Sequence, residues 1–333
     1  MAFHRSLLLA ALPVSLLACG GGSSTITPEG MHYHYVANKI YVPSNSTEAN
    51  EYGLDLDGNG TVDNQLGSVL GTLSGQGFDV QGTVDTAIAD GSIILLIDFQ
   101  AKDLMNTTAA GVQVYLGANP QPPACDGSAD TTCGHHLTGS ASFDIGSNSP
   151  MDAALAGKIV AGTFTGGSQK SDLELQIALG GTQAISLDLI GARAKGSEIT
   201  DTTIGTATDG GMIFAGALST DDLNNTVIPA IAAQLGPIVQ RDCCGLSTSP
   251  GGVTCDPNAN PSCGCTSGST GAQLLSLFDT MPKDCTVTVS EIQNNNLIKS
   301  LLAPDVTING TMALSLGIKA TAVGATYTVT GEM

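Results

Sequence analysis

Tryptophan is absent from this chain, and aromatic residues of all kinds make up only 4% of it. The protein therefore has few aromatic platforms on which sugar rings could stack. Basic residues are also scarce, because 11 lysines and arginines stand against 30 acidic residues and give a net charge of −19. This balance argues against nucleic acid and anionic lipid as partners. The abundance of glycine, serine and threonine is typical of a β-rich secreted protein.

Recognisable catalytic motifs are lacking as well. The chain has no Gly-x-Ser-x-Gly elbow, no His-Glu-x-x-His, no P-loop and no Rossmann fingerprint. His135 and His136 lie near Asp126 and Asp130, a grouping that would suit a metal or a general base, but polar residues of an exposed loop explain it equally well. His32 and His34 alternate with tyrosines, which predicts an edge strand rather than a ligand site. No catalytic residue is assigned, and the sequence leans against an enzyme.

The one long apolar run near the N-terminus, Leu7 to Leu17, is too short to span a bilayer and predicts a signal peptide. It leads into Leu16-Leu17-Ala18-Cys19, which resembles the lipobox of bacterial lipoproteins. That resemblance implies cleavage after Ala18, lipidation of Cys19 and a cell-envelope address. Gly20 after the cysteine resembles lipoproteins sorted to an outer membrane. An ordinary signal peptide followed by a chance cysteine is the alternative.

These signals predict the organisation of the chain. Residues 1–18 form the signal peptide, residues 19–30 form a flexible tether between lipid and protein, and residues 31–333 form one β-rich domain. The domain contains a calcium loop at 55–66 and a cysteine-rich insertion at 241–285. The lipid is the expected membrane partner, and a protein or glycan partner is left open.

One stretch has a spacing that dictates a chemistry, because oxygen-bearing residues alternate through it: Asp55, Asp57, Asn59, Thr61 and Asp63. Calcium takes six to eight oxygens, and a short loop can wrap it when alternate residues point inward. Gly60 supplies a sharp turn. The stretch resembles the loop of an EF-hand, or the related loops of dockerins and thrombospondin type 3 repeats. This resemblance implies a Ca²⁺ ion held by four side chains and the Thr61 carbonyl.

The stretch departs from the EF-hand pattern in two places. Leu66 occupies the twelfth position, where an EF-hand has a bidentate glutamate, and the segment from Ser44 to Gly53 makes a poor entering helix. The missing ligand predicts the weak affinity of extracellular sites, with a Kd of roughly 10⁻⁴ to 10⁻³ M. The alternative is an acidic turn that binds no metal.

Eight cysteines remain after Cys19, an even number that favours disulfides in an exported chain. Cys125 and Cys133 stand alone in one loop and should pair with each other. Six more should form three bridges whose connectivity stays open: Cys243, Cys244, Cys255, Cys263, Cys265 and Cys285. A zinc cluster is the rival interpretation, although no Cys-x-x-Cys pair is present.

Hydrophobic periodicity predicts an α+β fold, mainly an antiparallel sheet that is sandwich-like or curved, with a few helices and a disulfide-stapled helix–loop–helix segment. Ile93 to Ile97 should be a strand buried on both faces. Hairpins are expected at 173–189 and at 306–330, the second turning at Gly324, where the alternation changes phase. Further strands are expected at 112–116, 140–145, 158–164, 212–217 and 286–289. Helices are expected at 63–73, 79–90, 222–235, 272–280 and 290–302, with Pro229 kinking or restarting the third.

The expected function is that of a lipid-anchored envelope protein with a structural Ca²⁺ site and a binding or structural role at the cell surface. A hydrolase with a structural calcium ion and a carrier of an apolar ligand are the alternatives. The hydrolase would need a cleft with titratable groups of shifted pKa. The carrier would need an apolar cavity between the sheet and the helices of 219–302.

Overall fold

The computed structural model describes residues 26–75, 79–177, 185–206, 208–244, 263–280 and 283–329. The predicted signal peptide, Cys19 and Gly180-Gly181, where the hairpin expected at 173–189 would turn, lie outside these ranges. The strands are β1 Met31–Tyr41, β2 Leu95–Ala101, β3 Thr107–Gln121, β4 Ala141–Ile145, β5 Leu155–Val160, β6 Thr163–Gly167, β7 Asp172–Ile177, β8 Ile185–Ser197, β9 Thr203–Ile204, β10 Gly211–Ser219, β11 Val306–Ile308 and β12 Thr311–Thr326.

Eight of these strands close into a ring, which the expectation of a curved or sandwich-like sheet did not include. The order around the ring is β1, β2, β3, β5, β6, β8, β10 and β12, and β12 pairs again with β1. Every pairing within the ring is antiparallel. The predicted predominance of antiparallel sheet is therefore confirmed, and closure leaves the ring without a free edge.

Apolar side chains fill the inside of the ring. Tyr35, Ile97, Leu155 and other residues of its strands are completely buried in one continuous core. Phe99 on β2 and Phe164 on β6 meet edge to face with ring centroids 5.1 Å apart, although their strands are not neighbours in the sheet. This contact crosses the interior, so the two sides of the ring pack directly against each other.

A second, smaller core lies on the outer face of β1, β2 and β3. It combines outward-facing residues of those strands with β4 and the segment that follows β12: Val36, Ile94, Leu96, Tyr115, Ala141, Phe143, Tyr327 and Val329. Leu95 and Ile97 point into the ring while Leu96 points into this outer core. The prediction that Ile93–Ile97 is buried on both faces is confirmed, and the outer core is the reason.

The phase change at Gly324 was wrongly interpreted as a turn. β12 runs through Gly324 to Thr326 without reversing, and its turn with β11 comes earlier, at Asn309-Gly310. Tyr327 and Val329 are buried because they belong to the outer core. The phase changes because the buried residues before Gly324 face the main core, whereas those after it face the outer core.

The helices are α1 Ser46–Glu51, α2 Gln65–Gly75, α3 Val80–Ala89, α4 Thr220–Asp222, α5 Ile228–Val239, α6 Thr270–Phe278, α7 Val289–Asn294 and α8 Asn296–Leu301. A π-helical turn, Leu223–Val227, joins α4 to α5 just before Pro229, so the predicted restart is confirmed. No helix of the described residues has the length and apolarity needed to cross a membrane.

Three further predicted elements differ from the structure. The strand expected at 158–164 is instead the end of β5, a turn at Ala161-Gly162 and the start of β6, and Val160 pairs with Thr163 across that turn. Residues 286–289 form no strand, because Thr288 caps α7 in a capping box with Glu291. The predicted helix at 290–302 is broken at Asn295, whose side chain accepts hydrogen bonds from Leu297 N and Ile298 N and so begins α8.

Three disulfides are described. Cys125 pairs with Cys133, as the sequence predicts. Cys243 pairs with Cys265, and Cys263 pairs with Cys285. Cys243–Cys265 ties the π-helical segment Gln240–Cys244 to the segment before α6, and Cys263–Cys285 ties that segment to the one before α7, which confirms the disulfide-stapled region. Cys255 lies outside the described residues.

Candidate metal centre

The predicted calcium loop connects α1 to α2 on the outer face of the ring. The expectation of a poor entering helix was wrong, because Ser46–Glu51 forms a short helix. Asn45 begins that helix by accepting hydrogen bonds from Thr47 N and Glu48 N. The acidic stretch therefore lies between two helices, although α1 is only six residues long.

Side-chain oxygens organise the backbone of the loop. Asp55 Oδ1 accepts a hydrogen bond from Gly58 N at 2.7 Å, and its Oδ2 accepts one from Gly60 N at 2.9 Å. Asp57 Oδ1 accepts from Asn59 N at 3.0 Å, and Asn59 Oδ1 accepts from Thr61 N at 2.7 Å. Gly58 and Gly60 have positive φ angles, which the tight turns require. These contacts curl the chain, and the Asp55, Asp57 and Asp63 carboxylates approach one point.

Three of the five predicted ligands come together at that point. One carboxylate oxygen from each of Asp55, Asp57 and Asp63 lies within 4.8 Å of the other two. Two oxygens on opposite sides of a Ca²⁺ ion, with bonds of about 2.4 Å, are at most about 4.8 Å apart, so the spacing suits calcium. Asn59 and Thr61 are exposed. Leu66, at the twelfth position, is buried in the main core.

Residues that the sequence analysis did not single out hold the loop against the ring. Asn64 is buried, and its Nδ2 donates to Gly317 O at 3.0 Å while its Oδ1 accepts from Gly317 N at 2.8 Å. Arg193 Nη2 donates to Leu56 O at 3.0 Å, and the Leu56 side chain is completely buried beside β10, β11 and β12. The loop is thus fixed to β12, a contact between residues 253 positions apart in the chain.

The carboxylates of the loop differ in electrostatic environment. Backbone hydrogen bonds, led by that from Gly60, lower the pKa of Asp55. Burial raises the pKa of Asp63, and the nearby Asp57, Asp305 and Asp55 carboxylates raise it further, while the hydrogen bond from Leu56 N opposes the shift. A buried carboxylate among like charges is unfavourable in its ionised form, and a bound cation would relieve that cost.

The second predicted grouping, in the Cys125–Cys133 loop, comes together only in part. His135 Nε2 lies 3.0 Å from Asp130 Oδ2 and 3.7 Å from Asp126 Oδ2. Hydrogen bonds from Asp126 N and Thr132 N strongly lower the pKa of Asp130. These bonds account for the position of the Asp130 carboxylate without a ligand.

His136 is completely buried, whereas the side chain of the adjacent His135 is 37% exposed. Burial lowers its pKa, and neither ring nitrogen has a hydrogen-bond partner of good geometry in the described part of the chain. The two adjacent histidines therefore occupy different environments and do not form one site.

His32 and His34 both lie against Asp98, a residue that the sequence analysis passed over because it is on another strand. The register places His34 directly opposite Asp98 on β2. The expectation of an edge strand is confirmed for residues 31–34, which pair with β2 alone among the described strands, but not for Tyr35–Tyr41, which pairs with β12.

A search of protein-family models, of curated proteins and of solved structures finds no match to this chain. The function is therefore inferred from the residues and their geometry alone.

Proposed function

We propose that this protein is a lipid-anchored protein of the cell envelope whose fold is stabilised by one Ca²⁺ ion in the loop 55–66, with a binding or structural role at the cell surface. The convergence of Asp55, Asp57 and Asp63 carries the calcium part of the proposal. The lipid part is supported by the lipobox-like Leu16-Leu17-Ala18-Cys19 and by the disulfides, which suit an oxidising compartment.

The calcium site is proposed to be structural because of where the loop is attached. The loop contacts β12 through Asn64 and the core of β10–β12 through Leu56, so a bound ion stabilises the junction between the helices and the ring. A ligand that binds only the folded state adds to stability by mass action. At a Ca²⁺ concentration of ten times Kd, this gain is about 1.4 kcal/mol.

Two observations favour this role over the alternatives. A hydrolase using His135 and His136 is disfavoured because His136 is enclosed and does not share a site with His135. A carrier is disfavoured because apolar residues of α5 and α6, such as Leu235 and Leu275, pack into the main core. An open groove of about 970 Å³ lies instead on the outside, between β3, β4 and the segment after β12, where a binding partner would have access.

Calcium titration by calorimetry tests the ion directly. The protein should bind one Ca²⁺ with a Kd of roughly 10⁻⁴ to 10⁻³ M, and its melting temperature should rise with calcium. Asp57→Asn should remove both effects, because it deletes a converging carboxylate but keeps an oxygen for Asn59 N. Asp201→Asn, at an exposed position outside the loop, is the matched control and should behave as the unmodified protein does. Equal melting with and without calcium would contradict the proposal.

Metabolic labelling with a radioactive fatty acid tests the anchor. We expect the label to be incorporated into the full chain and lost in Cys19→Ser, because the lipid is attached through the thiol. Gly21→Ala, which leaves the cysteine intact, should keep the label. Labelling that survives in Cys19→Ser would refute the lipobox interpretation without affecting the calcium site.

A further inference from the structure

We infer that His32, His34 and Asp98 form a second metal site, distinct from the calcium loop, that binds Zn²⁺ through two imidazole nitrogens and one carboxylate. One ligand atom from each residue lies within 4.8 Å of the other two. The site is on the outer face of β1 and β2, beside the outer core, whereas the calcium loop is attached to β12.

The strand geometry places these three side chains together. Residues 32 and 34 lie on the same face of β1 because side chains alternate along a strand, and Tyr33 between them packs against the main core. Asp98 is directly opposite His34 on β2, and the outward positions on either side of it are Leu96 and Gln100. The arrangement is thus set by the backbone pairing of β1 with β2, because a site built on strands is held more precisely than one built on loops.

The distances are those of a site that needs little rearrangement. His32 Nδ1 lies 2.9 Å from both carboxylate oxygens of Asp98, and His34 Nε2 lies 3.8 Å from Asp98 Oδ1. Around a tetrahedral Zn²⁺ with bonds of about 2.0 to 2.2 Å, ligand atoms are about 3.4 Å apart. The two nitrogen–oxygen separations lie on either side of that value, within about half an ångström of it. The two imidazole nitrogens lie within 4.8 Å of each other.

The surroundings restrain the ligands and leave a side open to solvent. The His34 ring stacks on Tyr327 with centroids 4.3 Å apart and an interplanar angle of 23°. The Asp98 side chain is 6% exposed, whereas those of His34 and His32 are 19% and 31% exposed. A metal can therefore reach the nitrogens from outside, while the carboxylate beneath them stays fixed.

The donor set selects the metal. Imidazole nitrogen suits Zn²⁺ and related transition metals, whereas Ca²⁺ requires oxygen ligands. Three protein ligands leave one tetrahedral position for water, as in zinc sites that remain open. The Asp126, Asp130 and His135 group offers only one nitrogen and serves as the internal comparison.

Zinc titration by calorimetry under non-reducing conditions tests the site, with calcium present so that the acidic loop is occupied. The full chain should bind one Zn²⁺ at this site, and His34→Gln and His32→Gln should each weaken the binding by at least about tenfold, since each removes a direct ligand. His135→Gln should bind as the unmodified protein does. Calcium affinity should be unchanged in both ligand variants, which also shows that they are folded.

Cobalt provides a second readout that a structural role alone would not give. Co²⁺ bound in place of zinc should produce visible absorption bands that change in His34→Gln and are absent in the double variant His32→Gln/His34→Gln. Zinc binding of equal strength in the unmodified protein and the double variant would overturn the inference. Zinc binding that is lost in His135→Gln but kept in His34→Gln would overturn it as well.

Discussion

Asp63 links the packing of the acidic loop to its charge. Its Oδ2 accepts a hydrogen bond from Leu56 N at 2.7 Å, which holds the loop closed, yet the carboxylate is buried among other acids. Without a metal, the folded state favours the protonated form of Asp63 more than the unfolded state does. Its contribution to stability therefore falls as pH rises from the ordinary aspartate pKa of about 3.9 through the raised pKa of the folded protein.

Asp63→Asn should reveal this penalty, because the carboxamide oxygen can still accept from Leu56 N but carries no charge. In a chelator, the free energy of unfolding of the unmodified protein should fall relative to that of the variant as pH increases from about 4 to about 7. In saturating calcium the order should reverse at neutral pH, since the ion needs the ionised carboxylate. Chemical denaturation across this pH range measures both differences. If the difference in unfolding free energy between the two proteins does not vary with pH, the pKa of Asp63 is not raised by burial and by its acidic neighbours.

The elements around the loop depend on a close approach at Gly317. A Cβ built at this position would lie 2.3 Å from Tyr52 O and 3.0 Å from Gly53 Cα. The absence of a side chain at Gly317 therefore allows the chain between α1 and the loop to lie directly on β12. The hydrogen bonds of Asn64 to the Gly317 backbone form where the chain lies this close to β12.

Gly317→Ala should consequently separate the loop from the sheet. We expect a loss of about 1 to 3 kcal/mol in unfolding free energy, together with weaker calcium binding. Gly236→Ala is the matched control, because a Cβ there meets nothing within 4 Å and the residue lies inside α5. That variant should change the unfolding free energy by less than Gly317→Ala does, because the gain in helix propensity is opposed by the steric restriction on a residue before Pro237, and its calcium affinity should be unchanged. Thermal melting and calcium titration of the two variants measure these differences, and equal stability and calcium affinity in both would contradict the prediction.

At this scale, sequence patterns predicted local structure well where one periodicity persists. The strand at 212–217 and the helices at 63–73 and 79–90 appear close to their expected bounds, and the strand expected at 112–116 is the middle of the longer β3. The pattern failed where capping by a side chain overrides alternation, as at Thr288. It also failed at Gly324, because alternation shows that the two faces of a strand differ but not what covers each face.

The candidate sites show a similar division. Asp55, Asp57 and Asp63 could be recognised because their ligand spacing is local. The group of His32, His34 and Asp98 could not, because it depends on the register between two strands that are distant in sequence. Asn64 was likewise hidden, since its partner Gly317 is on the last strand of the ring.

For the molecule as a whole, the ring with an inner and an outer core implies that neighbouring residues of β2 are equally important although they face opposite ways. Leu95 belongs to the inner core and Leu96 to the outer one, and both are buried. Leu95→Ala and Leu96→Ala should each cost about 2 to 5 kcal/mol in unfolding free energy. Met312→Ala, at a residue that is 61% exposed, should change it by less than about 0.5 kcal/mol. A small effect of Leu96→Ala would mean that the outer core adds little to stability.

The position of β12 in chain order has a consequence for how the protein is made. Because β12 is the partner of both β1 and β10, the ring cannot close until residues 311–326 are available. A chain that emerges gradually from a ribosome, N-terminus first, would therefore hold β1 without its β12 partner until those residues have emerged. Asn64 would wait equally long for Gly317, so the acidic loop would acquire its final shape only after β12 has emerged.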